Sequence, residues 1–150
     1  KQHDQIDEVN YILQNEFGLL IHQITSKETQ SGASNKIIND FKDGKIQVLT
    51  SMKVLDEGLN VPEIQTAYIL ASTTVEREWT QRRGRVLRKC DEINKYKAVI
   101  HDFIVIVPND DSFKTLIESE KKRIAEFAKL SNNPWDENGG MKVINDYYGD

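Results

Sequence analysis

A chain of 150 residues, with 38% hydrophobic and 29% charged side chains, is long enough for one domain with a real core and ordinary for a water-soluble protein. A formal net charge of -4 argues against a protein that coats nucleic acid through a broad basic surface, and a single cysteine excludes an internal disulfide framework or a cysteine-based zinc cluster. No apolar run approaches the length of a bilayer span and the amino end carries no signal-like segment, so a reducing, cytoplasmic setting is the simplest expectation.

Asp4 stands where an N-cap would, ahead of Ile6, Val9, Leu13 and Phe17, which repeat at helical spacing until Gly18 ends the run. Leu19 to Ile24 reads as a strand. After the polar stretch from Thr25 to Ser34, Ile37, Ile38 and Phe41 predict a short helix with those residues inward, closed at Asp43-Gly44. Ile46 to Thr50 reads as a buried strand of a parallel sheet. The connection to the next strand, Ala67 to Ala71, is polar and leaves room for no more than a helical turn near Lys53-Val54-Leu55; so long a loop between buried strands is more often functional than idle. A helix from Val75 to Leu87 and a strand from Tyr96 to Val105 follow. Strands alternating with helices point to an α/β fold, an open and mostly parallel sheet with helices on both faces, whose ligands bind beyond the carboxyl ends of the strands. Beyond Pro108, residues Phe113, Leu116, Ile117, Ile124, Phe127 and Ala128 mark an amphipathic helix of about five turns, with Lys121, Lys122 and Arg123 among acidic neighbours. Asn132 to Asp150 reads as a poorly ordered or partner-dependent extension.

The arginines are concentrated. Arg77, Arg82, Arg83, Arg85 and Arg88, five of the chain's six, fall within twelve residues. At about 100° per residue, the helix places Val75, Trp79 and Val86 on one face, Arg83 at its edge, and Arg77, Gln81, Arg85 and Arg88 opposite. A guanidinium cannot be switched off by deprotonation and its planar fork matches phosphate oxygens, which suits it to hold a triphosphate or to neutralise charge developing in phosphoryl transfer. On charge alone, a solvated basic face or a general nucleic-acid patch fits equally well.

Spacing carries the reading further. Gln81-x-x-Gly84-Arg85-x-x-Arg88 resembles motif VI of superfamily 2 helicases and translocases. Val48 to Ser51, followed by Val54-Leu55-Asp56-Glu57-Gly58-Leu59-Asn60-Val61-Pro62, resembles their motif V. Ala67 to Leu70 and Arg77-Glu78-Trp79 are similar to the branch that holds DNA-repair translocases and restriction-system helicases. The resemblance covers residues 1 to 107 and implies the second, carboxyl-terminal RecA-like domain of such a motor, followed by a helical extension over 108 to 150. In that family a strand carrying motif IV precedes the first helix, so the resemblance implies that the domain's first strand lies outside this sequence.

By the same resemblance, Arg85 and Arg88 reach the β- and γ-phosphates of ATP as catalytic arginines, Gln81 orders the cleft, and Gly58 and Asn60 lie near the ribose. Thr50 and Ser51 lie near the nucleic-acid backbone. Read from the residues alone, Gly58 equally permits a tight turn and Thr50 and Ser51 equally cap a strand end. Many relatives carry aspartate where Asn60 stands and threonine where Met52 stands. Asp56 and Glu57, an acidic pair next to Gly58, allow general acid/base work but suit a cap or a salt bridge to the arginine helix better, and no metal is assigned to them. His3, His22 and His101 are scattered and form neither a metal site nor a triad.

The sequence contains no G-x-x-x-x-G-K-[ST] phosphate loop and no acidic metal-binding motif after a strand. The implied partners are therefore an amino-terminal motor domain of the same polypeptide, which holds ATP and Mg2+, and a DNA strand; the isolated domain is expected to be inactive. Two other readings stay open on these residues: a catalytically silent helicase-like scaffold, and an RNA-directed motor.

Overall fold

A computed structural model of the chain describes residues 5–25, 27–28, 34–52, 61–70, 84–108 and 110–149. Its elements run α1 (Gln5–Asn15), β1 (Ile21–Gln23), α2 (Ser34–Lys42), β2 (Val48–Thr50), β3 (Thr66–Ile69), β4 (Val99–Asp102), α3 (Lys114–Ala128) and α4 (Gly140–Tyr148), with 3-10 turns at Asp91–Ile93 and Asp111–Phe113. Two compact units emerge, Lys1–Gln65 with Arg85–Lys97 and Thr66–Gly84 with Ala98–Asp150.

The first unit is built on the β1–α2–β2 crossover. Its two strands pair in parallel, Ile21 with Val48, His22 with Leu49 and Gln23 with Thr50. Parallel neighbours need such a crossover, and α2 supplies it. Gly44 ends α2 as the sequence predicts. At φ 73° its N–H bonds the Phe41 carbonyl at 3.1 Å, and the Lys45 N–H bonds that of Asp40 at 2.8 Å. These two bonds form a Schellman motif, open to glycine because a left-handed residue is required there. Ile37 turns inward to join Ile24 and Val61, with Ile38, Phe41, Ile46, Leu49 and Ile64 packed around them. The helix α1 stops at Asn15, and Gly18, at φ 65°, reverses the chain so that the Leu19 N–H returns to the Leu13 carbonyl at 3.0 Å. Phe17, expected inward from its spacing, lies past the helix end and is 68% exposed.

In the second unit β3 and β4 pair in parallel, from Thr66 with Val99 to Ile69 with Asp102. Among the described residues the parallel pairing is as the alternating pattern predicts, and it is confined to these two-stranded sheets. All four strands are shorter than the apolar runs that announced them, because a strand extends only as far as its backbone finds a partner.

Helix α3 buries Ile117, Ile124 and Ala128, and α4 packs against it through Ile144. Gly140 sits where a Cβ would lie 3.0 Å from Ile124 Cγ2 and 3.1 Å from Ala128 Cβ, so its missing side chain sets how closely the helices approach. The Pro134 carbonyl accepts from the first N–H groups of α4, those of Met141 at 2.9 Å and Lys142 at 3.3 Å. Residues 140–148 of the segment expected to be poorly ordered are therefore helical, with Ile144 buried. Arg123, placed by the sequence among acidic neighbours, is 1% exposed. Its guanidinium pairs with Asp102 at the end of β4 and with Glu120 at 2.7 Å.

Removing a buried cation shared by two carboxylates takes one charge pairing from each of them. Arg123→Met is expected to lower the unfolding free energy by about 3–5 kcal/mol. Chemical denaturation of wild type and variant in parallel measures the difference.

Candidate functional site: the ends of motifs V and VI

Of the residues singled out in the sequence, Thr50, Ser51, Arg85 and Arg88 fall in the first compact unit. Gly58, Asn60 and Gln81, with Asp56, Glu57, Arg77, Arg82, Arg83 and Trp79, lie outside the described residues.

Thr50 closes β2, and its carbonyl accepts from the Ile24 N–H at 2.8 Å. Its hydroxyl donates to Asn10 Oδ1 of α1 at 2.8 Å, and Asn10 Nδ2 donates in turn to Gln23 Oε1 at 2.6 Å. A polar chain therefore ties α1 across the carboxyl ends of β1 and β2, so that the Thr50 side chain holds the strand end in place. Ser51 follows half-buried, and Met52 is exposed.

Beside this edge, Glu28 accepts from the N–H and hydroxyl of Thr25, both at 2.9 Å, and contacts His22 Nε2 at 3.0 Å. The two Thr25 hydrogen bonds, with a smaller contribution from His22, hold the Glu28 carboxyl below its ordinary value.

The described end of the arginine segment is a helical turn over 84–86. Val86 is 3% exposed, Arg85 is half-buried and Arg88 is exposed. Each of the two arginines has an interaction partner within the chain. What holds the turn is a residue that no sequence signal distinguished. Lys95, 4% exposed, donates from Nζ to the Pro62 carbonyl at 2.7 Å and to the Val86 carbonyl at 2.8 Å. Its backbone pairs in both directions with Cys90, at 3.1 and 2.9 Å, across the 3-10 turn Asp91–Ile93 and the left-handed Asn94. Burial lowers the Lys95 pKa, while the Cys90 thiol and the Glu63 carboxylate act against that shift.

Nearby, the Glu63 and Glu92 carboxylates and the Cys90 thiol offer ligand atoms within 4.8 Å of one another. Lys42 Nζ lies 2.6 Å from a Glu63 oxygen, so the protein itself supplies positive charge to this group. Burial pushes the Glu63 carboxyl up, but its bonds to Lys42 and to its own backbone leave it net lowered.

Residues 1–90 match the family described as helicase conserved C-terminal domain. The chain belongs to that family, as a superfamily 2 helicase C-terminal domain. It is 36% identical over 73 residues to the DNA 3'-5' translocase XPB2 of Sulfurisphaera tokodaii, which covers 49% of this chain and 16% of that protein. It is 33% identical over 98 residues to putative helicase 22 of Sulfolobus islandicus filamentous virus, covering 65% of this chain and 16% of that protein. The matched stretch is thus about a sixth of each relative's length. The helicase C-terminal domain accounts for the order of the two motif ends along the chain. Among its described residues no helix is long and apolar enough to cross a membrane.

A carboxyl whose folded-state pKa lies below its unfolded value contributes stability that is complete above the unfolded value, about 4.3 for glutamate, and lost as the pH falls through the folded one. Glu28→Gln is therefore expected to flatten the acid limb of the stability–pH curve below about pH 4.3. Thermal melts across that range check it, and an unchanged acid limb would contradict the hydrogen-bonding account.

Proposed function

We propose that the chain is the second motor domain of a cytoplasmic, ATP-dependent DNA helicase or translocase. ATP is its substrate in a cleft completed by an amino-terminal RecA-like domain of the same polypeptide. The observation that carries this reading is the gathering of β2's Thr50–Ser51 end, the Val61–Pro62 end of motif V and the Arg85–Arg88 end of motif VI in one compact unit. In open α/β sheets that end of the strands is where ligands bind.

The residues fit a nucleotide phosphate. Arg85 is mounted on a turn whose next residue, Val86, is held in the core, so its side chain starts from a fixed backbone. Arg88 follows in exposed position, where a phosphate brought by another domain is within reach of a long flexible side chain. In this role both guanidiniums neutralise charge that develops on the γ-phosphoryl oxygens as a water oxygen bonds to the γ-phosphorus and the bond to the β-phosphate breaks, with ADP leaving; Mg2+ held with the nucleotide by the amino-terminal domain would add to that neutralisation. Gln81 orders the cleft by hydrogen bonding, and Gly58 and Asn60 approach the ribose. Ser51, and the Thr50 backbone behind it, border the nucleic-acid track. The Thr50 hydroxyl, engaged with Asn10, acts on that track by keeping the strand end in register. The similarity to a protein named as a DNA translocase favours DNA over RNA.

Substituting an arginine that acts mainly at the transition state costs turnover far more than binding. In the full-length parent, Arg85→Ala and Arg88→Ala are each expected to cut nucleic-acid-stimulated ATP hydrolysis by about 10³–10⁵-fold while ATP binding stays measurable. Near-normal turnover in both variants would overturn the assignment, and comparing stimulation by duplex DNA, single-stranded DNA and RNA tests the choice of strand.

A further inference from the structure

We propose that Lys95 is a positioning residue for hydrolysis: its buried ammonium ties the end of motif V to the end of motif VI and so fixes where Arg85 and Arg88 stand. The inference rests on the arginine reading above.

Three features support it. The two acceptors are main-chain carbonyls, Pro62 at 2.7 Å and Val86 at 2.8 Å, so the tie acts on backbone rather than on mobile side chains. Both are joined to the core: Pro62 follows Val61, which packs with Ile24 and Ile37, and Val86 is itself buried. Lys95 cannot drift, because the paired hydrogen bonds with Cys90 and the left-handed turn at Asn94 fix its backbone.

The choice of a lysine is informative. The last carbonyls of a helix have no partner within the helix, and a cation is the favoured group there. Satisfying one of them needs only a backbone N–H, or a chain end open to water. A buried ammonium costs desolvation, and removing it alone takes the donor from two main-chain carbonyls, at about 1–3 kcal/mol for each one left unsatisfied. A group that bridges two segments bordering the proposed site, through carbonyls that a neutral donor could also have satisfied, has a geometric role beside its structural one. Displacing a catalytic group by about 1 Å costs on the order of 10²-fold in rate, and a single ammonium spans the whole path between the two motif ends. The titratable groups that face it are Glu63 and Cys90, with Lys42 held on Glu63.

The test uses the full-length parent. Lys95→Met keeps the length and volume of the side chain and removes the donors. Turnover is counted per nucleotide-binding site, so that loss of folded protein does not mimic loss of catalysis. The expected result is a fall of about 10–10²-fold in stimulated kcat with KM for ATP unchanged. On an Arg88→Lys background, a milder lesion with measurable turnover, the same substitution is expected to cost much less than it does alone, because both act on one step. Wild-type kcat in folded Lys95→Met, or losses that multiply in the double variant, would overturn the proposal. Should Lys95→Met fail to fold, Lys95→Gln, which is shorter and keeps one donor group, carries the test by the same kcat and KM readout. Near-normal turnover in Arg88→Ala and Arg85→Ala would instead remove the arginine reading itself, an outcome separate from either result for Lys95.

Discussion

A buried ammonium holding two main-chain carbonyls is the constraint on which the described part of the first unit depends. Without Lys95, the Pro62 and Val86 carbonyls would lose this donor, and a buried acceptor left unsatisfied costs about 1–3 kcal/mol. With it, the segment leaving motif V and the turn ending motif VI share one donor. The hairpin from Cys90 to Lys95 exists to deliver that group. A 3-10 turn shortens it, Asn94 at φ 51° reverses it, and its backbone bonds to Cys90 close it.

The second unit solves a similar problem with the opposite chemistry. Arg123 is as deeply buried as Lys95, but its partners are carboxylates rather than carbonyls, so the charge itself is matched. Asp102 ends β4 and Glu120 stands one turn before Arg123 on α3, which makes the ion pair a strut between the strand end and the helix. Close approach of α4, permitted by Gly140, then seals the other side of α3. Arg123 is thus matched by carboxylates, whereas the described turn that carries Arg85 is held by a lysine on main-chain carbonyls.

The polar edge of β1 and β2 qualifies a simple transfer of family roles. A threonine at the end of a motif V strand invites assignment as a phosphate contact, yet its hydroxyl is engaged in the Thr50–Asn10–Gln23 chain. The physical contribution of such a side chain to a nucleic-acid track is to hold backbone in place. Ser51, one residue further, emerges from the strand. Glu28, bonded by Thr25 and His22, closes the same edge and keeps its negative charge down to low pH.

Family membership was legible through resemblance, since Gln81-x-x-Gly84-Arg85-x-x-Arg88 and the stretch from Val48 to Pro62 carry the family's motifs in short runs of sequence; the clustered arginines alone fitted a solvated basic face equally well. Helices α1 and α2 and their glycine stops were legible too: the 3.6-residue period and the left-handed cap are properties of neighbouring residues. Strand bounds were not, since pairing depends on partners far along the chain. Nor did anything in Asn94-Lys95-Tyr96-Lys97 set one lysine apart from the next, and Arg123 looked like one more charge in a mixed helix. Burial of a cation is decided by which carbonyls or carboxylates the folded chain brings within about 3 Å, and the more distant partner of each, Pro62 and Asp102, lies 33 and 21 positions away. The sequence by itself determined the class of the domain and the charges available to it; tertiary structure alone decided which charges became struts, because long-range proximity is created only by packing.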